Sequence, residues 1–183
     1  MSPPNTPTSW RWFHVILGTY GSWLPGDPRG FRTRHHRDHV DGDYKNPPPT
    51  GLYDGLNGAS HSSLKSSPVV LTWDQRVIVG NALRCRLEEL KSTVACLAIS
   101  RQHAHLLAKL PPQQVRDTVG NAKKTAWFKM REAGFPQKLW AKRAKCDPMN
   151  DRRHQLNVYH YILRHEREGA YVWRYVDVYG DRA

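Results

Sequence analysis

The sequence predicts an α+β fold, and three observations carry that prediction. Apolar runs rich in β-formers occur at Trp12–Gly21, Thr93–Ser100 and His103–Leu110. Stretches opening at Thr72 and near Gln113 instead repeat their apolar residues at helical spacing. Glycine and proline punctuate the joins, and no internal repeat is present.

Taken in order, "WFHVILGTYG" reads as a first strand ending in glycine. Residues 22–67 are poor in aliphatics and crowded with Gly, Pro, His, Asp and Ser. "DYKNPPPTGLYDGLNGASHSS" is loop chemistry, so the segment reads as a structureless insertion within one domain. Thr72 then caps a helix, because "TWDQ" fits a capping box with Gln75 three residues on. Val77, Ile78, Leu83, Leu87 and Leu90 supply its core face. "TVACLAIS" and "HAHLLAKL", with "RQ" between them, predict a hairpin. Pro111 and Pro112 stop its second strand ahead of a helix over Gln113–Glu132. That helix turns Val115, Val119, Ala122, Ala126 and Met130 inward, and Gly134 with Pro136 ends it. "KLWAKRAKC" is a short basic strand. Asp151 caps a last long helix over Arg152–Glu168, closed by Gly169. Tyr171, Tyr175 and Tyr179 recur every four residues and suggest one face of a short terminal helix. The element order is a ferredoxin-like βαββαβ antiparallel sheet with an appended C-terminal helix, in a single domain spanning residues 1–183.

Composition narrows the function. There is no run of 18 apolar residues to span a membrane and no secretory signal pattern at the N-terminus. Cys85, Cys96 and Cys146 are widely spaced and odd in number, which fits a reducing cytoplasm. A net charge of +12 calls for a polyanionic partner, with nucleic acid ahead of a membrane surface. Seven tryptophans and eight tyrosines add rings of the kind single strands stack on, although most rings belong to a core.

The chemistry concentrates in two places. In "ISRQHAHLL", His103 and His105 stand at i and i+2, so a strand points both to one face. They form half of a metal site or the wet face of a half-buried strand. In "VYHYILRHEREG", Tyr161 and His165 stand at i and i+4 on one helix face, and Tyr159 lies off it. Glu168, three residues beyond His165, is a substitute ligand or a salt-bridge partner. His35, His36 and His39 in "HHRDH" sit in loop-like sequence without further ligands and read as a solvated loop. Lys123, Lys124, Lys142, Arg143 and Lys145 are candidates for contact with a phosphate backbone beside the site, or else a solvated face.

"QHAHLL", then "LW" at Leu139–Trp140, then "YHYILRHEREGAYVW" resemble the one-tyrosine HUH transposases, closest to the REP-associated tyrosine transposases of bacteria. "HVILGTYGSWLPGDPRG" is similar to the opening of many such proteins. The resemblance implies His103 and His105 as metal ligands, His165 in the place of the third ligand, and Tyr161 as the nucleophile on a DNA phosphate. It also implies a divalent ion, Mn²⁺ or Mg²⁺, and single-stranded DNA as partner, often beside a hairpin. The products would be a 5′-phosphotyrosyl bond and a free 3′-hydroxyl. A monomer or homodimer in the bacterial cytoplasm, associated with the nucleoid and not with membrane, completes the expectation. Two departures stand out. Ala104 replaces the bulkier apolar residue usual between the two histidines, and His165 stands where amides or carboxylates are more usual. Three imidazoles favour Mn²⁺ over the oxygen-loving Mg²⁺.

Competing readings are a domesticated hairpin binder that does not cut, an RNA-binding domain of the RRM type, and a zinc hydrolase. The middle strands lack the aromatic RRM signature, and no H-E-x-x-H is present.

Overall fold

A computed structural model of the chain describes residues 10–28, 30–32, 39–40 and 49–176. Its first strand, β1 (Arg11–Thr19), buries every second side chain from Phe13 to Thr19. That alternation commits one face of the strand to a core. Short strands β2 (Phe31–Arg32) and β3 (His39–Val40) pair with each other. Helix α1 (Asp54–Ser62) and helix α2 (Trp73–Glu89) follow. Strands β4 (Thr93–Ile99) and β5 (His103–Leu110) form the expected hairpin. A 3₁₀ turn then leads into α3 (Val115–Glu132), β6 (Trp140–Pro148), α4 (Arg152–Arg164), a second 3₁₀ turn (His165–Glu168) and β7 (Tyr171–Arg174).

The architecture is α+β. β1, β4, β5, β6 and β7 form one antiparallel sheet in the order β6-β1-β5-β4-β7. One face is sealed by α2 and α3. Phe13, Val15 and Leu17 of β1 and Ala104, Leu106, Ala108 and Leu110 of β5 meet Leu83, Leu87, Val119, Ala126 and Met130 there. On the opposite face a smaller cluster of Cys96, Ala98, Leu107, Met149, Ile162 and Ala170 lies under α4.

The caps expected from sequence are present. Gln75 N–H donates to Thr72 Oγ1, and Thr72 N–H donates to Gln75 Oε1, closing the capping box of α2. Asp151 Oδ1 accepts from His154 N–H at the start of α4, and Gly169, at φ 76°, ends the turn after it. All five inward residues expected for α3 are buried.

Three expectations are corrected. The α2 core face rotates: Val79 and Ala82 are buried with Leu83 and Leu87, while Val77, Ile78 and Leu90 are half-buried. Tyr171 and Tyr175 lie on no terminal helix, and Tyr179 falls outside the described residues. "YVWR" pairs instead with the open edge of β4, from Ile99↔Tyr171 to Cys96↔Arg174. Its aromatic and β-branched residues suit a strand, and an available edge outweighs the four-residue tyrosine spacing. Gly80 of α2 makes room for the Tyr171 ring, which a Cβ at that position would meet at 2.5 Å.

The 22–67 segment, thirdly, is not structureless. It contains α1 and the β2–β3 pair, and the Tyr53 ring packs edge-on against Phe31 with centroids 4.9 Å apart. Gly26, at φ 87°, lies so close to Asn57 of α1 that a Cβ would collide with its backbone. A polar, glycine-rich composition hid the helix because α1 buries no residue of its own. His35 and His36 lie outside the described residues.

Candidate active site

The strand pleat builds the first half of the site. In β5, Ala104 and Leu106 face the sealed core, so His103 and His105 face the other way, beneath α4. Helix α4 is seated on that face by Ile162 and Gln155, its two buried residues. Tyr161, directly before Ile162, is turned to the side of the helix and is 40% exposed. One turn further, His165 is buried at 5% exposure, as is His105.

Four rings converge. One ring nitrogen from each of His103, His105 and His165 can be chosen such that all lie within 4.8 Å of one another. The Tyr161 ring stands edge-on to both buried histidines, 5.4 Å from His105 and 4.8 Å from His165, centroid to centroid. His165 Nδ1 lies 3.1 Å from the carbonyl oxygen of Tyr161, to which it donates in its Nδ1–H tautomer. His105 Nδ1 lies 3.0 Å from Nε2 of a fourth histidine, His14. In both buried imidazoles Nδ1 is thus engaged by the protein and Nε2 is left for the cluster. This is the outer-shell pattern by which proteins orient metal-binding histidines.

His14 is the residue that sequence reasoning missed. It sits on β1 opposite Leu107 of β5, on the face that carries His105. The signal was available, because His14 is the polar residue inside an otherwise apolar alternating run, "WFHVIL". Burial pushes the His14 imidazole down to about 4, against a partial lift from Asp147 and with Lys145, His154 and His165 pushing the same way as burial. Burial also holds His105 far below its ordinary value, and His103, His165 and His14 add to the effect. Both rings are neutral at pH 7, the form in which imidazole ligates metal.

Trp23 was also missed. Its ring stands edge-on to His103 at 5.2 Å, with its own backbone in the left-handed region at φ 48°. Gly18 leaves room for the Ser22 hydroxyl in the turn before Trp23, which a Cβ there would meet at 2.6 Å.

The donor set fits a divalent ion. Three imidazoles are borderline ligands that suit transition ions better than Mg²⁺. His103, His105 and His165 could therefore hold a metal. Glu168 is exposed and outside this group, and Tyr159 faces a different cavity.

The basic residues do not gather where they were expected. Lys123 is half-buried, its Nζ donates to Ala141 O at 2.9 Å, and burial pulls its pKa down. With Arg116, Lys142 and Arg143 it lines a cleft of about 430 Å³ between α3 and β6. Ala144 and Cys146 share that cleft and pack against the helix-covered core, so it opens away from the histidines. Lys124 is exposed on α3, 5.8 Å from the Phe128 ring. Lys145, paired with Asp147 at 2.9 Å, is the one of the five whose charge reaches His14.

No protein-family pattern and no curated protein matches the chain. Among solved structures, the chain is similar to a REP-associated tyrosine transposase bound to a REP hairpin. The TM-score is 0.49 and the sequences are 9% identical, over 92% of this chain and 74% of that one.

Proposed function

We propose that this protein is a metal-dependent endonuclease and strand transferase for single-stranded DNA, acting through Tyr161 at or beside a hairpin. The observation that carries the reading is the exposed Tyr161 ring standing over the cluster of His103, His105 and His165. The likeness of "QHAHLL" and "YHYILRHEREGAYVW" to one-tyrosine HUH transposases supports it, as does the +12 charge. We read β1, α2, β4, β5, α3 and β6 as the ferredoxin-like core expected from the sequence, with α4 appended.

A phenol of ordinary pKa near 10 is a weak nucleophile at pH 7 and needs help. A divalent ion held by the three histidines would neutralise charge on the scissile phosphate and polarise its phosphorus. Tyr161 Oη attacks phosphorus and gives up its proton. The bond from phosphorus to the 3′ oxygen breaks, and that oxygen leaves as a 3′-hydroxyl after taking up a proton. The 5′ end stays on Tyr161 as a phosphodiester. Because phenolate is a competent leaving group, an incoming 3′-hydroxyl reverses the step without ATP. His14 acts through His105, as a positioning residue. Lys123 and Lys142, across the sheet, and Lys124, Arg143 and Lys145 are assigned to the DNA backbone.

The test is intact-protein mass after incubation with a single-stranded hairpin library and Mn²⁺, beside Tyr161→Phe. A nucleotide adduct on the wild type alone is expected. An adduct on both proteins would move the nucleophile, with Tyr159 the first candidate. Binding without any adduct would leave the non-cleaving hairpin binder as the function. Faster cleavage with Mn²⁺ than with Mg²⁺ is also expected, and equal rates at saturation would count against the three-imidazole ligand set.

A further inference from the structure

Beside the histidines, on the same sheet face, lies a cavity of about 350 Å³ that the proposed chemistry does not use. Its floor is Trp12 of β1 and Leu107 of β5. Leu107 is the strand partner of His14 and lies two residues along β5 from His105, a step of about 7 Å. Tyr159 and Gln155 of α4 and Tyr175, just past β7, form further walls, and Arg152 stands among the lining residues. No carboxylate lines the cavity among the described residues.

We propose that this cavity receives an unpaired nucleobase of the single strand whose phosphate lies at the histidines. The proposal rests on the nuclease reading and extends it to base selection. Three features favour a base over an aliphatic guest. The walls include three aromatic rings, the surfaces on which bases stack. Arg152 offers positive charge to the phosphate that a base brings with it. Gln155, in the wall and only 9% exposed, makes no side-chain hydrogen bond to any described residue. Its amide therefore presents a donor and an acceptor for a base edge. Burial raises the Tyr159 hydroxyl pKa while Arg174 draws it down, which brings a second cation within reach of the same ring.

The arrangement divides the work of α4 between two sides of one helix. Tyr161 addresses the phosphate, while Tyr159, two residues earlier, addresses a neighbouring base. An obligatory base in that cavity would fix which phosphate in the strand reaches Tyr161.

The experiment uses the full chain and single-stranded oligonucleotides carrying one 5-iododeoxyuridine, cross-linked by light and mapped by peptide mass spectrometry. Cross-links are expected at Trp12, Tyr159 or Tyr175. Affinity, read by fluorescence anisotropy, should fall about threefold to tenfold in Gln155→Leu. In Tyr159→Ala it should fall about fivefold to a hundredfold. Circular dichroism and melting temperature show that each variant folds. Cross-links confined to Trp23 or other residues, with unchanged affinity in Gln155→Leu, overturn the base pocket and leave the nuclease reading standing. Failure to bind any single strand overturns both. Thermal stabilisation by an aromatic peptide, with none from the oligonucleotide, overturns the proposal in favour of a protein partner.

Discussion

The two faces of the central sheet are built from the same strands to opposite ends. The face under α2 and α3 presents Val15, Leu17, Leu97 and Leu106, each at most 2% exposed. The face under α4 is covered by one helix and leaves His14, His103 and Tyr161 only part-buried or exposed. A strand such as β5 serves both faces residue by residue: Ala104 and Leu106 anchor, while His103 and His105 remain for chemistry. Stability is concentrated on one side so that polar, open groups can be carried on the other.

That division is tested most severely by His105→Ala. On the proposed mechanism, removing His105 forfeits metal assistance worth several kcal/mol at the transition state, so adduct formation should fall about a thousandfold or more. The melting temperature of the metal-free protein should stay near the wild type, measured by calorimetry with chelator present. The mirror experiment is Leu97→Ala on the sealed face. It should cost about 2–5 kcal/mol in urea unfolding while the surviving folded fraction keeps its adduct rate. If both variants lose activity and stability together, the two faces are not separable.

His14→Ala sharpens the boundary between them. The outer-shell contact to His105 Nδ1 is lost, and affinity for Mn²⁺, titrated by calorimetry, should drop about tenfold to a hundredfold. The smallest effect distinguishes depth of burial through the thiols. Burial pushes Cys96 up to about 12, whereas Cys85 is exposed on α2. Iodoacetamide at neutral pH should therefore alkylate Cys85 first in the native protein, half-buried Cys146 slowly and Cys96 only on unfolding. Early labelling of Cys96 would mean that α4 lifts off its face.

Much of this was legible in the sequence because it was written in local rules. Thr72 with Gln75, Asp151 and Gly169 marked the ends of helices by capping chemistry. The i, i+2 and i, i+4 spacings placed His103, His105, Tyr161 and His165 on their faces. What escaped depends on contacts between distant segments. His14 acquires its meaning from His105, 91 residues away, and Trp23 from His103. The strand at Tyr171–Arg174 exists because β4 offers an edge, which no window of sequence around Tyr171 records. The five basic residues are divided by the sheet, since α3 and β6 carry Lys123 and Lys142 on its far side, which no local spacing records.

The last third of the chain has a topological consequence. After β6, at one edge of the sheet, the backbone passes over the face as α4 and rejoins at the other edge as β7. The helix follows the strands, from Gln155 beside Trp12 and Thr93 to the turn that sets His165 beside His103. Thirteen residues of α-helix extend about 20 Å. The helix is a bar laid along the strands it covers, joined through its two ends to opposite edges of the sheet. Inserting or deleting a turn would slide Tyr161 along the bar and out of line with His105. Exchange of the bar between two molecules would first require β7 to unzip from β4. In this fold Tyr161 stands beside His105 and His165 of the same chain.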